Sequence, residues 1–220
     1  CGVSILEDDK ILYEKNSDNG LSHSENLMSM IDTAFKECNL KVSDIDLFAC
    51  SKGPGSFTGI RIGISTIMAF NDVHNKIAYG ISSLEGLAYN ETESDYVCSI
   101  INARNNNAYA GLFKKEQEHY ILIDNYLSDS IDTIINSFEK YKNLNITFIG
   151  DGVDEFEELL RDNFTNYKFS TKNNCNSTSI GIAAFEHHKS NLNYDNSLVP
   201  MYLKKSQAER QLEEGKLKWI

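Results

Sequence analysis

Gly53, Gly55 and Gly59, with Ser56 and Thr58 between them, are the residues whose types and spacing most directly suggest chemistry. They belong to the run Gly53-Pro54-Gly55-Ser56-Phe57-Thr58-Gly59, which follows a short apolar stretch at 45–50 and precedes Ile60, Ile64, Ile67 and Met68 at helical spacing. The order predicted is strand, glycine-rich loop, helix. Glycines let a backbone approach a ligand closely, and the first amides of a helix have no internal partner. Ser56 and Thr58 can cap that turn. Such a loop can face a nucleotide phosphate or another anion. It can equally be a tight turn with no ligand, and spacing alone leaves both readings open. A Walker A loop would carry Lys-Ser/Thr after its last glycine, where Ile60-Arg61 stand, and the GxGxxG pattern is also missing. Without that lysine, nucleotide contact is expected to be weak, and a positive φ is expected to make Gly55 irreplaceable.

Other reactive side chains do not assemble into a catalytic pattern. His23 stands alone, and His74 and His119 have no histidine or cysteine at ligand spacing. His187 and His188 are adjacent, so on a helix they diverge by about 100°. No metal site is expected. Ser56 lacks the second glycine of a G-x-S-x-G elbow. Glu85 has no carboxylate at i+3 or i+4, and reads as a solvated or helix-start carboxylate. Glu155, Glu157 and Glu158 read as a solvated helix face. Arg61 and Arg104 can serve an anion or a surface ion pair. No residue is assigned to catalysis.

The elements that must position these residues follow from periodicity. Strands are expected over 2–6 and 11–15 about Asp8-Asp9, then a helix over 21–38 opened by a Ser22/Glu25 capping box. Leu27, Met30, Ile31, Ala34, Phe35 and Cys38 form its apolar stripe, widened by Met28. After the loop come a helix over about 58–71, a strand at 76–79 and a short helix at 83–89. The acidic stretch 91–95 is the expected boundary. The second half reads as strands at 96–102, 108–113 and 120–124, and a helix capped by Ser128. A strand at 146–149, a helix through 160, a strand at 167–170 and a helix over 178–189 complete it. The halves share one order, except that the first lacks an opening strand, which fits a chain clipped before Cys1. The order is similar to that of the actin, sugar-kinase and Hsp70 superfamily (ASKHA, ribonuclease H-like). The expected fold is therefore two-lobed α/β with mixed sheets carrying helices. The lobes are placed at 1–94 and 95–220, with a tail helix at about 206–218 packing back on the first.

Composition narrows the partners. The 220 residues suffice for a sizeable core. No apolar run approaches the roughly 20 residues of a membrane helix, so no membrane partner is expected. The net charge of −11 opposes direct grip on a phosphate backbone, leaving only a local patch at Lys204, Lys205 and Arg210. Five cysteines without a CxxC argue against a disulfide framework or zinc ribbon and for a reducing, cytoplasmic setting.

The string from Gly53 to Gly63 closely resembles the hallmark loop of the TsaB (YeaZ) family. His23-Ser24-Glu25, Asn102-Ala103-Arg104 through Tyr109, Gly150-Asp151-Gly152, Pro200-Met201-Tyr202-Leu203 and Gln207-Ala208-Glu209-Arg210 extend the resemblance over most of the chain. The catalytic relative TsaD carries a metal-binding His-x-x-x-His where Ser83 and Leu87 stand here, and leucine cannot ligate a metal. The resemblance therefore implies a catalytically silent partner of a TsaD-like subunit, working with a TsaE-like ATPase. That assembly forms threonylcarbamoyladenosine in tRNAs reading ANN codons, and tRNA would be met only through it. No cofactor is expected for the chain alone, although the complex can bind ATP. The docking face is expected on helices 22–38 and 58–71, at Leu27, Met28, Met30, Ile31, Gly59 and Gly63, and the same face is expected to pair as a homodimer. The alternative is a free-standing ATPase or phosphotransferase of the same superfamily, which tight binding and turnover of ATP with Mg²⁺ would distinguish. A peptidase has no residue support.

Overall fold

The computed structural model describes residues 1–17, 23–91, 93–190 and 194–204, with the backbone alone at 23–25. β1 (Gly2–Glu7) and β2 (Lys10–Asn16) form an antiparallel hairpin whose turn places Asp8 at φ 55°. α1 (His23–Cys38) packs on both strands. β3 (Leu47–Gly53) and β4 (Ile77–Ser82) pair in parallel, which requires a crossover, supplied by α2 (Phe57–His74). α3 (Ser83–Ala88) follows β4 directly, and all of its residues are buried.

The second half begins with β5 (Tyr96–Asn102), β6 (Asn107–Glu116) and β7 (His119–Leu122), an antiparallel meander. β8 (Leu127–Ser130) adds to β6, and α4 (Ile131–Phe138) follows at once. The helix cap is therefore Ser130, whose hydroxyl accepts from the Thr133 amide, and not Ser128, which sits inside β8 opposite Tyr109. β9 (Ile146–Ile149), α5 (Asp151–Asn163), β10 (Tyr167–Phe169) and α6 (Ser177–Lys189) follow among the described residues.

The strand order β10-β9-β5-β6-β7 makes β5 the centre of the second sheet, parallel to β9 and antiparallel to β6. Its alternating side chains enter two cores. Cys98 and Ile100 join α4 and α5, while Val97 joins α3 and α6. In the first half the β1–β2 hairpin and the β3–β4 pair are separate two-stranded sheets. The place that β5 holds in the other lobe, between a hairpin and a parallel pair, contains no strand among the described residues. α6 packs against both β1 and β3 and so spans the two sheets, while α1 touches α2. The architecture is a two-lobed α/β fold of the ASKHA type.

At Gly150 the backbone has φ 113°, and a side-chain carbon there would run into the Ile100 carbonyl of β5. This glycine lets α5 start hard against the central strand. Gly150→Ala is expected to cost about 2–3 kcal/mol, combining left-handed strain with the clash. Urea unfolding followed by far-UV circular dichroism measures it, and an unchanged midpoint would contradict the constraint.

Candidate functional site

The glycine loop leaves β3 through a cis Gly53–Pro54 peptide and enters α2 at Phe57. Ser56 caps the helix, its hydroxyl accepting from the Gly59 amide at 3.2 Å. Thr58 is exposed and makes no cap. The constrained glycine is Gly53, at φ 103°, and not Gly55. A side-chain carbon at Gly53 would lie 2.8 Å from the Met201 carbonyl oxygen and 2.9 Å from Ile60, whereas one at Gly55 would meet only Ile60 at 3.9 Å. The inner side of the loop is thus shaped around a later segment of the same chain. Gly55, Ser56 and Thr58 line its exposed side.

That later segment occupies the charged group nearest the loop. Lys52 is 3% exposed, and its ammonium donates to the Asp195 carbonyl at 2.6 Å and carboxylate at 2.9 Å. The Ser197 hydroxyl, and then the Lys52 ammonium, hold the Asp195 carboxyl down at about 2. The Met201 amide donates to the Lys52 carbonyl at 2.7 Å. Tyr202 stacks on Phe57 with ring centroids 4.3 Å apart, and its hydroxyl accepts from Arg61 Nε at 2.8 Å. The Arg61 guanidinium lies 4.1 Å above the Phe57 ring. Of the two arginines considered for anions, Arg61 is engaged in this aromatic cluster. Arg104 is exposed in a left-handed turn at φ 62°.

Behind the loop, Ser83 is buried with its hydroxyl 2.6 Å from that of Ser51, and Leu87 lies in the core shared by the lobes. Glu85 is neither solvated nor free: it is 8% exposed, with Oε1 2.6 Å from His187 Nε2. His187 Nδ1 lies 2.7 Å from Asn196 Oδ1, and Tyr194 stacks on the imidazole at 3.5 Å and 5°. His188 diverges as its helical phase requires and meets the Tyr79 hydroxyl at 3.4 Å. No spacing rule connects positions 85, 187 and 196, so only their assembly in space reveals the cluster. Burial pushes the Cys50 thiol on β3 up to about 12, leaving it protonated at neutral pH. Among the described residues no three histidine, cysteine or acidic side chains converge as metal ligands, and no helix is long and apolar enough to cross a membrane.

The residues expected at the docking face differ in exposure. α1 and α2 lie in contact, with Met28 53% and Met68 46% exposed. Leu27, Ile31 and Gly59 are half-buried, and nothing lies within 4 Å of the space a side-chain carbon would take at Gly63. Met30 is 5% exposed and is a core residue, so it leaves the docking set. Ser22, the side chains of His23, Ser24 and Glu25, and the expected tail helix at 206–218 with Lys205 and Arg210 lie outside the described residues.

The Lys52–Asp195 pair has a testable pH sign. A carboxyl held near 2 contributes fully above the ordinary aspartate range, and the contribution is lost as pH falls through about 2. At neutral pH, Asp195→Asn leaves a buried ammonium without its counter-charge. Because the Asp195 side chain is largely exposed, the expected loss is modest, about 1 kcal/mol in urea unfolding. Lys52→Met added to Asp195→Asn should recover most of it, and an additive double variant would show the two groups to be uncoupled.

A family model described as TsaD, tRNA N6-adenosine threonylcarbamoyltransferase, matches residues 18–212. The tRNA threonylcarbamoyladenosine biosynthesis protein TsaB of Bacillus subtilis (strain 168) is 24% identical over 225 residues, covering 100% of this chain and 93% of that protein. A tRNA N6-adenosine threonylcarbamoyltransferase of Rhizobium johnstonii is 36% identical over 67 residues, 30% of this chain and 18% of that protein. The solved structure of YeaZ from Pseudomonas aeruginosa superposes with a TM-score of 0.73 at 21% identity, covering 92% of this chain and 94% of that one. With most of its length inside that model, the chain belongs to the TsaD (tRNA N6-adenosine threonylcarbamoyltransferase) family, as one of its TsaB (YeaZ) members.

Proposed function

We propose that this chain is a non-catalytic subunit that docks to a TsaD-like catalytic subunit and supports it in forming threonylcarbamoyladenosine in tRNA, with a TsaE-like ATPase completing the assembly. The observation that carries the reading is the paired α1–α2 face, where Met28 of α1 stands about half exposed and a side-chain carbon on Gly63 of α2 would meet nothing within 4 Å. Exposed methionines give adaptable apolar contact, and a glycine at open surface lets another helix approach closely. Two helices of a partner can lie across such a pair as a four-helix packing.

Three further features support it. The relatives matched over most of this chain are named for the biosynthesis of the modified nucleoside. Where TsaD-like enzymes place two histidines, Leu87 fills core volume and Ser83 shares a hydrogen bond with Ser51. The net charge of −11 suits a chain that meets tRNA only through its partners, in the cytoplasm. Lys52 near the glycine loop already pairs with Asp195, so nucleotide affinity of the chain alone is expected to be weak. Alone, the α1–α2 face is expected to close a two-fold homodimer, in competition with the catalytic subunit.

Met28→Glu and Gly63→Glu place a charge on that face without entering the core. Folded variants, with unchanged circular dichroism, should run as monomers by gel filtration with light scattering. They should also lose at least about tenfold in affinity for the TsaD-like subunit, since a buried unpaired carboxylate is costly. If both folded variants still dimerise and bind, the docking face is elsewhere. Tight ATP binding with turnover by the isolated chain would instead identify an enzyme.

A further inference from the structure

Residues 194–204 return from the end of α6 and lie as a strap along the first lobe. The fit is backbone against backbone. On the edge of β4 the Gly80 amide donates to the Asn196 carbonyl at 2.9 Å, and a side-chain carbon on Gly80 would collide with the Ser197 carbonyl. Gly53 makes the same allowance for the Met201 carbonyl. Lys52 holds Asp195, and Tyr202 covers Phe57 and Arg61. The strap thus covers one edge of the β3–β4 sheet and completes the aromatic cluster at the start of α2. An uncovered edge would present free amides and carbonyls to any other strand.

The near end of this strap is fastened by one titratable group. His187 faces an oxygen at each ring nitrogen, Glu85 Oε1 at 2.6 Å and Asn196 Oδ1 at 2.7 Å. Only the imidazolium donates from both nitrogens. It also gives buried Glu85 its counter-charge. We propose that His187 is a proton-operated latch: as imidazolium it grips Glu85 of α3 and Asn196 of the strap together, and losing one proton loosens the strap on the edge of β4 while both lobes stay folded.

The surrounding groups leave that role to His187. On α3 only Glu85 is charged, and it faces the ring. On α6, Glu186 turns to His119 of β7 at 3.9 Å and to Lys189 at 3.0 Å, and His188 turns to Tyr79 of β4. On the strap, Tyr194 is pushed up to about 12 by burial and by the charges of Glu85 and Glu186, so its phenol stays neutral. Burial likewise raises Tyr89 and Tyr126, with Glu85 adding to both. Asp195, held down at about 2, stays ionised beside Lys52 of β3. The strap is held while the ring is protonated, and its hold weakens once rising pH removes that proton.

Hydrogen–deuterium exchange tests this without any partner. Protection of the Gly80 and Met201 amides, corrected for intrinsic rates, is compared at about pH 6 and about pH 8.5. In the unmodified chain it should fall by about tenfold or more at the higher pH, while amides of β5 stay protected. Asn196→Ala and His187→Gln should give the low value at both pH values, and His188→Gln should keep the response. Asn196→Ala leaves the buried Glu85–His187 pair intact, so it remains informative if His187→Gln does not fold. Protection in the unmodified chain that is independent of pH, or a response that survives Asn196→Ala, would overturn the latch. Any effect on docking through Tyr202 rests on the proposed partner role. Because the exchange measurement uses no partner, failure of the latch and failure of that role are distinguishable.

Discussion

The apolar layer shared by α3 and α6 holds the two lobes in one piece, and every other feature hangs from it. Ile81, Leu84, Leu87 and Ala88 enter it from the first half, and Val97, Phe113, Ile149, Ile180, Ala183 and Ala184 from the second. The exchange is reciprocal: α3 follows β4 yet packs on β5, and α6 follows β10 yet packs on β1 and β3. Gly86 admits the close approach, because a side-chain carbon there would collide with Ile180. A fully buried Leu or Ile contributes about 1.5–3 kcal/mol. Several such residues in one layer outweigh the modest polar contacts around them. The polar cluster of Glu85, His187 and Asn196 lies at the border of this layer, where its charges avoid water but keep each other.

Much of the fold was legible because its signals are local. The capping serine of α2, the apolar spacing of α1 and α4 and the alternation along β6 all follow from neighbours in the chain. β8 was not, because Leu127-Ser128-Asp129-Ser130 has no strand periodicity and is held by the edge of β6 alone. Ser128 consequently reads as a cap from sequence, and the true cap is two residues on. Gly53 and Gly55 look alike in sequence. They differ in the structure because Met201, far along the chain, lies against only one of them.

The candidate site was legible where it depends on helix faces and obscure where it depends on pairing. Met28 and Gly63 lie open, but Met30 points inward from the helix that carries Met28, since two residues turn a side chain by about 200°. Glu85 carried no signal of its own. A buried carboxylate is tolerated only with a partner, and that partner is 102 positions away. The glycine loop looks like an anion cradle from its glycines, yet its inner surface is a mould of the chain's own backbone.

The grip of Lys52 on Asp195 spans 143 positions of sequence. On a ribosome, which extends a chain by roughly 5–20 residues per second, Lys52 therefore emerges long before the group that neutralises it. Until then its ammonium is hydrated, Gly53 has no Met201 against it, and Phe57 lacks the ring of Tyr202. A partner that recognises the Phe57–Tyr202 pair would discriminate against unfinished chains. Assembly on that surface would then be confined to molecules whose two lobes have already closed on each other.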